Sequence, residues 1–360
     1  MMYHVAGLNI FGQWSIENQF MNKFHAITHI EQPLTGITLK LSKLLQVNWS
    51  YNILQSDDEF YLSGHFNEKD KQLIKLSTQL DNLLSRNDIT VVGNDYNFIL
   101  VAKTNNVIRV GDINKKTEIK NINLNVELPV NNTKKIKQDI GISKVVLTNE
   151  SCLYLTSLGT VYSGILPSYI DTEHCRGNIC DVQCGYEHFI LLTDKGSVYT
   201  WGNGRRLQLG HGDVNNIDIP TEVEALAGIN ITKIYSGGWH TLALSDTGDL
   251  YAWGWNDSGQ LGIKEKEITN ESYAVPTPVE IYDSDGVEVT LNVINIACGS
   301  RHSVILLEDN TVWTTGFNKY GQLGFSETEF PSINYFKKAF HCDDICKLMC
   351  GPWTTVIITK

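Results

Sequence analysis

The sequence predicts an all-β fold, a seven-bladed β-propeller closed by its own chain ends, and three observations support this prediction. A strand–turn–strand pattern recurs along the 360 residues. The best-preserved copies share one spacing and one loop motif. The two ends of the chain carry complementary halves of a further copy. Because a repeat array grows by adding similar units, a chain of this length need not divide into several compact cores.

Three closely similar copies occupy the second half of the chain. Each begins at a small residue and a glycine, runs through a histidine into an apolar strand, and reaches another glycine fourteen residues after the histidine. These histidine–glycine pairs are His188 and Gly202, His240 and Gly254, and His302 and Gly316. A polar loop follows and ends in Gln-Leu-Gly, as at Gln260-Leu261-Gly262 and Gln322-Leu323-Gly324, with the variant Leu207-Gln208-Leu209-Gly210.

Weaker copies and the chain ends complete the ring. Copies beginning near Val47, Val92 and Leu147 have lost the histidine but keep strand, turn, strand and glycine. Residues 350–359 are the first half of a repeat, and residues 3–14 read as its second half, so one blade built from both would remove two exposed sheet edges. We therefore expect a single domain over residues 1–360, with blades that start near residues 47, 92, 147, 184, 236, 298 and 350, the last completed by residues 3–14.

Two stretches depart from the repeat. Residues 66–88 carry apolar side chains at helix-like spacing, which predicts a helix between two blades. Residues 264–292 are long and rich in Asp and Glu, so we expect an acidic, solvated insertion. The alternative for this second stretch is contact with a basic partner such as a histone.

Composition narrows the classes of partner. The formal net charge is −11 and the pI is about 5.4, whereas affinity for nucleic acid comes mainly from Lys and Arg. We therefore expect no direct binding to nucleic acid, and any association with chromatin to run through a protein. No apolar run is long enough to span a bilayer, and the first residues lack the zones of a signal peptide. These features predict a soluble intracellular chain without membrane contact.

The cysteines and histidines are predicted to be structural. Three of the eight cysteines, Cys184, Cys298 and Cys350, precede a glycine at one repeat position, where a small buried residue entering a strand is expected. We therefore expect no metal site, disulfide or cofactor. The repeat histidines recur in register and are expected to form hydrogen bonds inside each blade, although a ring around an axial metal is the alternative. Trp201 and Trp253 precede a repeat glycine and are expected to pack.

The sequence motif resembles that of one known family. Gly238-Trp239-His240-Thr241, followed by residues 250–262, resembles the repeat of the regulator of chromosome condensation family. The match is specific over residues 184–360, degenerate over residues 45–165, and most similar to one short member that consists of a single propeller without tails. This resemblance implies an adaptor in the nucleus and cytoplasm, with a JmjC-type 2-oxoglutarate dioxygenase as partner and a role in histone modification and chromosome segregation.

Hairpin geometry locates the loops of one face. The strands 241–244 and 250–253 form a hairpin around Gly248, so the segments before and after it emerge at the same end. Across neighbouring blades this face gathers Glu187, Arg205, Arg206 and Phe317 together with the residues that we predict to bind a partner: Trp239, Trp255, Asn256, Asp257, Arg301, Lys319, Tyr320 and Trp353. Trp, Tyr and Arg dominate binding hot spots. For the three tryptophans, packing within the loops is an equal alternative.

The sequence favours a binding protein over an enzyme. No Ser-His-Asp or Cys-His grouping stands apart from the repeat, and no glycine-rich loop followed by Lys-Ser is present to hold phosphate. The leading prediction is a non-catalytic, monomeric scaffold. The alternative is a guanine-nucleotide exchange factor for a small GTPase, because the founding member of the family acts on Ran; here we find neither its basic tail nor its β-wedge. An adaptor in ubiquitin or membrane traffic is a third possibility.

Overall fold

The computed structural model describes residues 1–32, 37–41, 43–57, 59–66, 68–76, 89–102, 107–112, 120–123, 141–149, 151–264 and 271–360. In the first half of the chain the strands are β1 (Met2–Leu8), β2 (Phe20–Ile27), β3 (His29–Gln32), β4 (Ile37–Lys40), β5 (Lys43–Val47), β6 (Tyr51–Ser56), β7 (Glu59–Phe66), β8 (Lys69–Lys75), β9 (Ile89–Gly93), β10 (Asn97–Ala102), β11 (Val107–Asp112), β12 (Lys120–Asn123), β13 (Ile142–Leu147), β14 (Cys152–Thr156), β15 (Val161–Ser163) and β16 (Ser168–Ile170).

The second half continues the same succession of strands. Its strands are β17 (Ile179–Cys184), β18 (His188–Thr193), β19 (Val198–Gly202), β20 (Ile217–Glu222), β21 (Ile231–Ser236), β22 (His240–Ser245), β23 (Leu250–Trp255), β24 (Ser272–Pro278), β25 (Val293–Cys298), β26 (His302–Leu307), β27 (Thr311–Phe317), β28 (Ser332–His341), β29 (Ile345–Gly351) and β30 (Thr354–Thr359). Among the described residues the only helical element is one turn of 3₁₀ helix, Glu224–Leu226. Among all the described residues, no helix is long and apolar enough to cross a membrane.

These strands form seven four-stranded antiparallel sheets, the blades of a β-propeller, and one small hairpin, β3–β4. Six blades use four consecutive strands, from the innermost to the outermost. The seventh has the order β2-β1-β30-β29, because β1 pairs with β30 from Met2 opposite Thr359 to Gly7 opposite Thr354. Both predictions, the seven blades and the closure of the ring by the two chain ends, are confirmed.

The cores lie between neighbouring blades. The second strand of a blade is covered on both faces, so every residue of β22, β26 and β30 is buried. This explains the continuous apolar runs in the repeat, because a strand covered on both sides does not alternate between apolar and polar residues. The outermost strands are half-exposed and carry the charged residues, as in β8 and β20.

The predicted blade starts fall at the ends of the innermost strands. Residue 236, for example, is the last residue of β21, and the blade begins about five residues earlier at Ile231. The innermost strands line the centre of the ring, so they mix polar with apolar residues and look unlike the rest of the repeat. Only their last residue, next to the regular histidine–glycine spacing, was recognisable in the sequence.

The two irregular stretches are partly strands. The prediction of a helix over residues 66–88 is wrong for Lys69–Lys75, which form β8 and pair with β7; residues 77–88 lie outside the described residues. Backbone pairing with β7 outweighs the helix-like spacing, and an outermost strand tolerates charged residues. Within 264–292, Ser272–Pro278 form β24, the outermost strand of its blade, and residues 265–270 lie outside the described part.

Candidate protein-interaction face

Two sets of loops meet at one end of the propeller. The inner turns join the innermost strand of a blade to its second strand, and the outer loops join the third strand to the fourth. A backbone hydrogen bond ties one to the other: Trp255 N–H donates to the Trp239 carbonyl at 2.8 Å, and Phe317 N–H to the Arg301 carbonyl at 2.9 Å. Trp239 and Trp255 therefore lie on one face, as the hairpin pattern predicts. We call this end the loop face.

The Gln-Leu-Gly motif holds each outer loop in shape. The buried amide oxygen of Gln260 accepts a hydrogen bond from the Ser258 N–H at 3.0 Å, Leu261 is fully buried, and Gly262 adopts a positive φ of 69°. The same contacts recur in the next blade, where the Gln322 amide oxygen accepts from the Tyr320 N–H at 3.0 Å. The outer loops thus present their remaining side chains from a fixed frame, which lowers the entropy cost of binding.

The inner turns are joined from blade to blade around the axis. The Tyr186 N–H donates to the Gly238 carbonyl at 2.7 Å, the Gly238 N–H to the Ser300 carbonyl at 3.1 Å, and the Ser300 N–H to the Pro352 carbonyl at 2.9 Å. The Tyr186 and Ser300 hydroxyl groups also share a hydrogen bond of 2.6 Å. The inner turns of four blades are therefore linked in a continuous backbone chain at the loop face.

On the core side of the inner turns, the Nε2 atoms of the repeat histidines form hydrogen bonds to the next blade. The prediction of hydrogen bonding inside each blade holds for His188, whose Nδ1 lies 3.2 Å from the Tyr186 carbonyl of its own blade, and it is corrected for the Nε2 contacts, which reach the next blade. His240 Nε2 lies 2.9 Å from the Ser303 hydroxyl of the next blade, and that hydroxyl donates to the Gln260 carbonyl at 2.6 Å. His302 Nε2 meets the Thr355 hydroxyl at 3.1 Å in the same way. Since each hydroxyl proton is committed to a carbonyl, the imidazole must be the donor.

Burial keeps these imidazoles neutral. It lowers the pKa of His188 to about 4, and it lowers the pKa of His240 and of His302 to about 3. Each ring also packs against the glycine of its own inner turn: a Cβ on Gly237 would lie 2.0 Å from His240 Cε1. The glycine and histidine of the motif are therefore required together. They are structural and leave the loop face free for binding.

An arginine and two tryptophans form the centre of the loop face. The Arg206 guanidinium lies 4.2 Å from the ring centroid of Trp239 and 3.3 Å from that of Trp255, and the two rings are 4.9 Å apart. Tyr186 packs edge-on against Trp239 at 5.0 Å, and Arg301 lies 5.1 Å from the Trp255 ring. We call these five residues the arginine–tryptophan cluster.

The charges of this cluster are partly compensated. Asp257 accepts from Arg301 at 3.2 Å, and the two side chains are 24% and 31% exposed respectively. Burial and the nearby Arg301 lower the pKa of Arg206, while Asp257 and Glu187 act in the opposite direction. Arg206 has no acidic partner at ion-pair distance among the described residues. Its positive charge is therefore stabilised mainly by cation–π contact with the two tryptophan rings.

A second group of aromatic rings lies on the same face, one blade further on. Phe317, Tyr320 and Trp353 form a triangle with centroid distances of 5.6 to 6.2 Å, and Phe20 of β2 extends it at 5.7 Å from Tyr320. The three rings of the triangle meet one another edge to face. We call these four residues the second aromatic cluster.

The structure divides the predicted site residues into three groups. Trp239, Trp255, Asp257 and Arg301 meet around Arg206, and Tyr320 and Trp353 meet in the second aromatic cluster, while Lys319 is exposed beside Tyr320. Asn256 is only 5% exposed, and its side-chain oxygen accepts from the Leu261 N–H at 2.9 Å, so its side chain holds the outer loop. Partner binding by the other seven stays a prediction.

Sequence reasoning missed several members of the face. The hairpin pattern places Arg206 on this face but not among the residues predicted to bind, and Tyr186 was missed; only their contacts with tryptophan separate these two residues from their neighbours. Phe20 was not expected because β2 comes from the far end of the chain. Trp49 and Tyr96, 48% and 64% exposed, lie in the inner turns of blades without the repeat histidine. Their position in the turn is the signal that could have found them.

Within the described residues no three His, Cys, Asp or Glu side chains are placed to hold a metal ion. The cysteines are free, and burial raises the pKa of Cys350 to about 12 and that of Cys298 well above its ordinary value. Thiols of this kind are protonated and inert. Trp253 is buried and donates to the Gln208 carbonyl at 3.0 Å, and Trp201 stacks on Phe189, so both pack as predicted.

The fold and this face define the class of protein: a seven-bladed β-propeller with a preformed aromatic and basic surface at one end. The regulator of chromosome condensation (RCC1) repeat matches residues 195–244 and 247–306, and a second description of the same repeat matches residues 179–208, 231–260 and 293–322. The chain is therefore a seven-bladed β-propeller that carries RCC1 repeats over residues 179–322.

Individual relatives support this assignment. RCC1 domain-containing protein 1 of Homo sapiens is 30% identical over 208 residues, which cover 49% of this chain and 55% of the relative, so the match extends over about half of each protein. The crystal structure of human WBSCR16 is similar with a TM-score of 0.76 at 15% identity, covering 100% of both chains. That of Prp20p from Saccharomyces cerevisiae has a TM-score of 0.73 at 15% identity, covering 99% of this chain and 90% of that chain. At these identities the two structures share the fold.

Proposed function

We propose that this chain is a non-catalytic scaffold that binds a protein partner on the loop face. The observation that carries the proposal is the arginine–tryptophan cluster, in which the Arg206 guanidinium lies over the rings of both Trp239 and Trp255. Blade packing does not require these half-exposed side chains, because the cores between the blades are complete without them. Tryptophan, tyrosine and arginine held in a fixed arrangement are typical of binding hot spots.

The finer identity of the partner is part of the proposal. We propose a JmjC-type 2-oxoglutarate dioxygenase as the partner, and with it a role in histone modification and chromosome segregation in the nucleus and cytoplasm, because the resemblance of the repeat motif over residues 238–262 implies it. Prp20p from Saccharomyces cerevisiae is described as having binding properties to Gsp1p and histones, which supports a protein ligand for a propeller of this shape. The overall charge of −11 favours basic protein partners over nucleic acid.

Binding on the loop face can be tested with paired variants. Wild-type chain, an Arg206→Ala/Trp255→Ala variant and a Leu158→Ser control would be used to capture partners from nuclear extract, followed by affinity measurement with the purified partner. Leu158 is 50% exposed in the turn between β14 and β15, at the opposite end of the propeller. Loss of one hot-spot residue costs about 2 kcal/mol or more, so we expect the double variant to bind at least roughly 30-fold more weakly.

The outcomes separate the possibilities. A dioxygenase captured by the wild type and the control, but lost by the double variant, would support the scaffold and its face. Equal loss in the control would contradict the assignment of the face. Accelerated nucleotide release from a purified Ran-type GTPase, without capture of a dioxygenase, would overturn the scaffold in favour of an exchange factor.

A further inference from the structure

The innermost strands of all seven blades surround a central cavity of about 510 Å³. In five consecutive blades one position of this strand, immediately after a β-bulge, lines the end of the cavity away from the loop face. The bulges fall before Lys144, Asp181, Lys233, Asn295 and Lys347. All five of these residues line the cavity. One level of the wall therefore carries three ammonium groups and one carboxylate.

The hydrogen bonds at this level leave positive charge uncompensated. Lys144 Nζ lies 2.5 Å from the Asp181 carboxylate, and this pair is neutral overall. Lys233 Nζ donates to the Ile294 carbonyl at 2.7 Å, which satisfies a hydrogen bond but does not cancel the charge. Lys347 forms no side-chain hydrogen bond or ion pair with the part of the chain that the structure describes. The level therefore has a net charge of about +2 in a protein whose net charge is −11.

Two neighbouring lysines oppose the charge of Lys347, and both Lys347 and Lys233 are exposed where the cavity meets solvent. Burial, together with the neighbouring Lys43 and Lys144, lowers the pKa of Lys347, and burial lowers that of Lys233. Holding like charges together at the wall of a cavity costs free energy, which an anion bound between them would recover. An acidic protein that places lysines at corresponding positions of separate blades has an arrangement suited to such a ligand.

We propose that this end of the cavity binds a small anion with several phosphate groups, held by Lys347 and Lys233 and assisted by Lys144. Lysine acts as a compact point charge for phosphate, whereas planar carboxylates are matched better by arginine, which is not found at this level. The cavity volume lies in the range of small-molecule sites. The site is independent of the proposed function, because about 13 Å of strand separates Lys233 from the inner turn at Gly237.

The test uses inorganic tripolyphosphate as the probe, with citrate as the carboxylate counterpart. Binding would be measured by calorimetry and by the shift in melting temperature for the full chain, for Lys347→Gln, for Lys347→Gln/Lys233→Gln, and for Lys195→Gln. Lys195 lies in an exposed turn outside the cavity and controls for general loss of positive charge. We expect tripolyphosphate to raise the melting temperature of the wild type and of the control, and Lys347→Gln to weaken binding at least about tenfold.

A second readout needs no ligand. Because removing Lys347 relieves repulsion, the ligand-free Lys347→Gln variant should melt at a higher temperature than the wild type, while the double variant should lose the tripolyphosphate shift altogether. Equal binding by Lys347→Gln and Lys195→Gln would overturn the site, as would citrate binding as tightly as tripolyphosphate. Failure of tripolyphosphate to bind the wild type at concentrations on the order of 1 mM would overturn it as well.

Discussion

The blade formed by β21 to β24 and the blade formed by β5 to β8 have the same strand order, yet only the first carries the repeat histidine. The two agree in register at that point: His240 is paired with Gly254, and Tyr51 with Gly64. Both glycines have a positive φ, and a Cβ on either would strike the backbone of the inner turn. Tyr51 therefore occupies the position of the histidine in a blade where the motif has disappeared.

The two side chains perform the same task with different chemistry. His240 donates to a hydroxyl of the next blade, and Tyr51 donates directly to the Asn94 carbonyl in the next inner turn at 2.7 Å. Both are fully buried. The comparison teaches that the propeller requires a buried polar contact between blades at this position, and that histidine is one of at least two residues that can supply it.

Acidification should distinguish the two regions most strongly. The folded-state pKa of the repeat histidines is about 3 to 4, below the value of about 6.5 for the unfolded chain. The unfolded chain therefore binds more protons, so the stabilisation is complete above about pH 6.5 and is lost as the pH falls towards the folded-state pKa. Between about pH 7 and pH 5 we expect a loss of about 2 kcal/mol for each histidine, measured by denaturant unfolding.

Hydrogen exchange can show which strands lose stability on acidification. Amides of β18, β22 and β26 should lose protection on acidification before those of β6, since Tyr51 does not titrate in this range and burial raises its pKa. Simultaneous loss in both regions would mean that the ring opens as one unit. Earlier loss in β6 would contradict the assignment of acid sensitivity to the histidines.

Substitution of the paired glycines should destabilise both regions alike. In Gly254→Ala the new Cβ would lie 2.5 Å from the Trp239 carbonyl oxygen, and in Gly64→Ala 2.2 Å from that of Ser50. We expect each to lower the free energy of unfolding by roughly 3–5 kcal/mol, because a strained φ and a backbone clash act together. Gly228→Ala is the control: its φ is +86°, but nothing lies within 4 Å of the new Cβ.

The control isolates the clash from the backbone strain. Gly228→Ala should cost only about 1 kcal/mol. If Gly64→Ala cost no more than this control, the equivalence of the two blades in register would be wrong. A large cost in both blades would show that loss of the motif in the first half did not relax its geometry.

The hydroxyl groups between blades give an intermediate effect. Thr355→Val removes a hydroxyl that accepts from His302 and donates to the Gln322 carbonyl at 2.7 Å, so two buried partners are left unsatisfied. Tyr51→Phe leaves only the Asn94 carbonyl unsatisfied. We expect losses of roughly 2–3 and roughly 1–2 kcal/mol respectively in thermal or denaturant unfolding. The reverse order would mean that the contact of Tyr51 is the stronger one.

The sequence was sufficient for the features that each blade repeats. The spacing from His240 to Gly254 predicted the hairpin of β22 and β23, and the complementary chain ends predicted the pairing of β1 with β30. Both follow from local constraints, a glycine at a positive φ and a strand with an unpaired edge, which leave a mark in the sequence. The Gln-Leu-Gly motif, which fixes the shape of the outer loops, is another local constraint that the sequence reveals.

Contacts between blades were beyond sequence reasoning. The contact of Arg206 with the rings of Trp239 and Trp255 joins loops of neighbouring blades, and no spacing within one blade specifies it. The innermost strands were missed because they line the cavity and mix lysine with apolar residues. The helix-like spacing of Lys69–Lys75 was misleading because an exposed outermost strand is constrained mainly by its backbone partner. Its side-chain pattern therefore need not alternate.

Removing a surface ion pair should produce the smallest difference in the free energy of unfolding between the two blades. Arg301 and Asp257 are 3.2 Å apart beside the Trp255 ring, whereas Lys75 and Glu59 are 3.5 Å apart on an outer edge where the lysine side chain is 57% exposed. We expect Asp257→Asn to cost about 0.5–1 kcal/mol and Glu59→Gln less than about 0.5 kcal/mol at low ionic strength.

Measuring both variants at increasing salt concentration tests whether their losses of stability come from attraction between charges. Both should shrink towards zero near 1 M salt, where the Debye length is about 3 Å, if attraction between the charges is responsible. A cost of Asp257→Asn that persists in high salt would mean that the carboxylate positions Arg301 against Trp255 through its hydrogen bond. The loop face of the second half would then be more rigidly preformed than the outer edge that carries Lys75 and Glu59, which would account for a partner site at the blades that kept the motif.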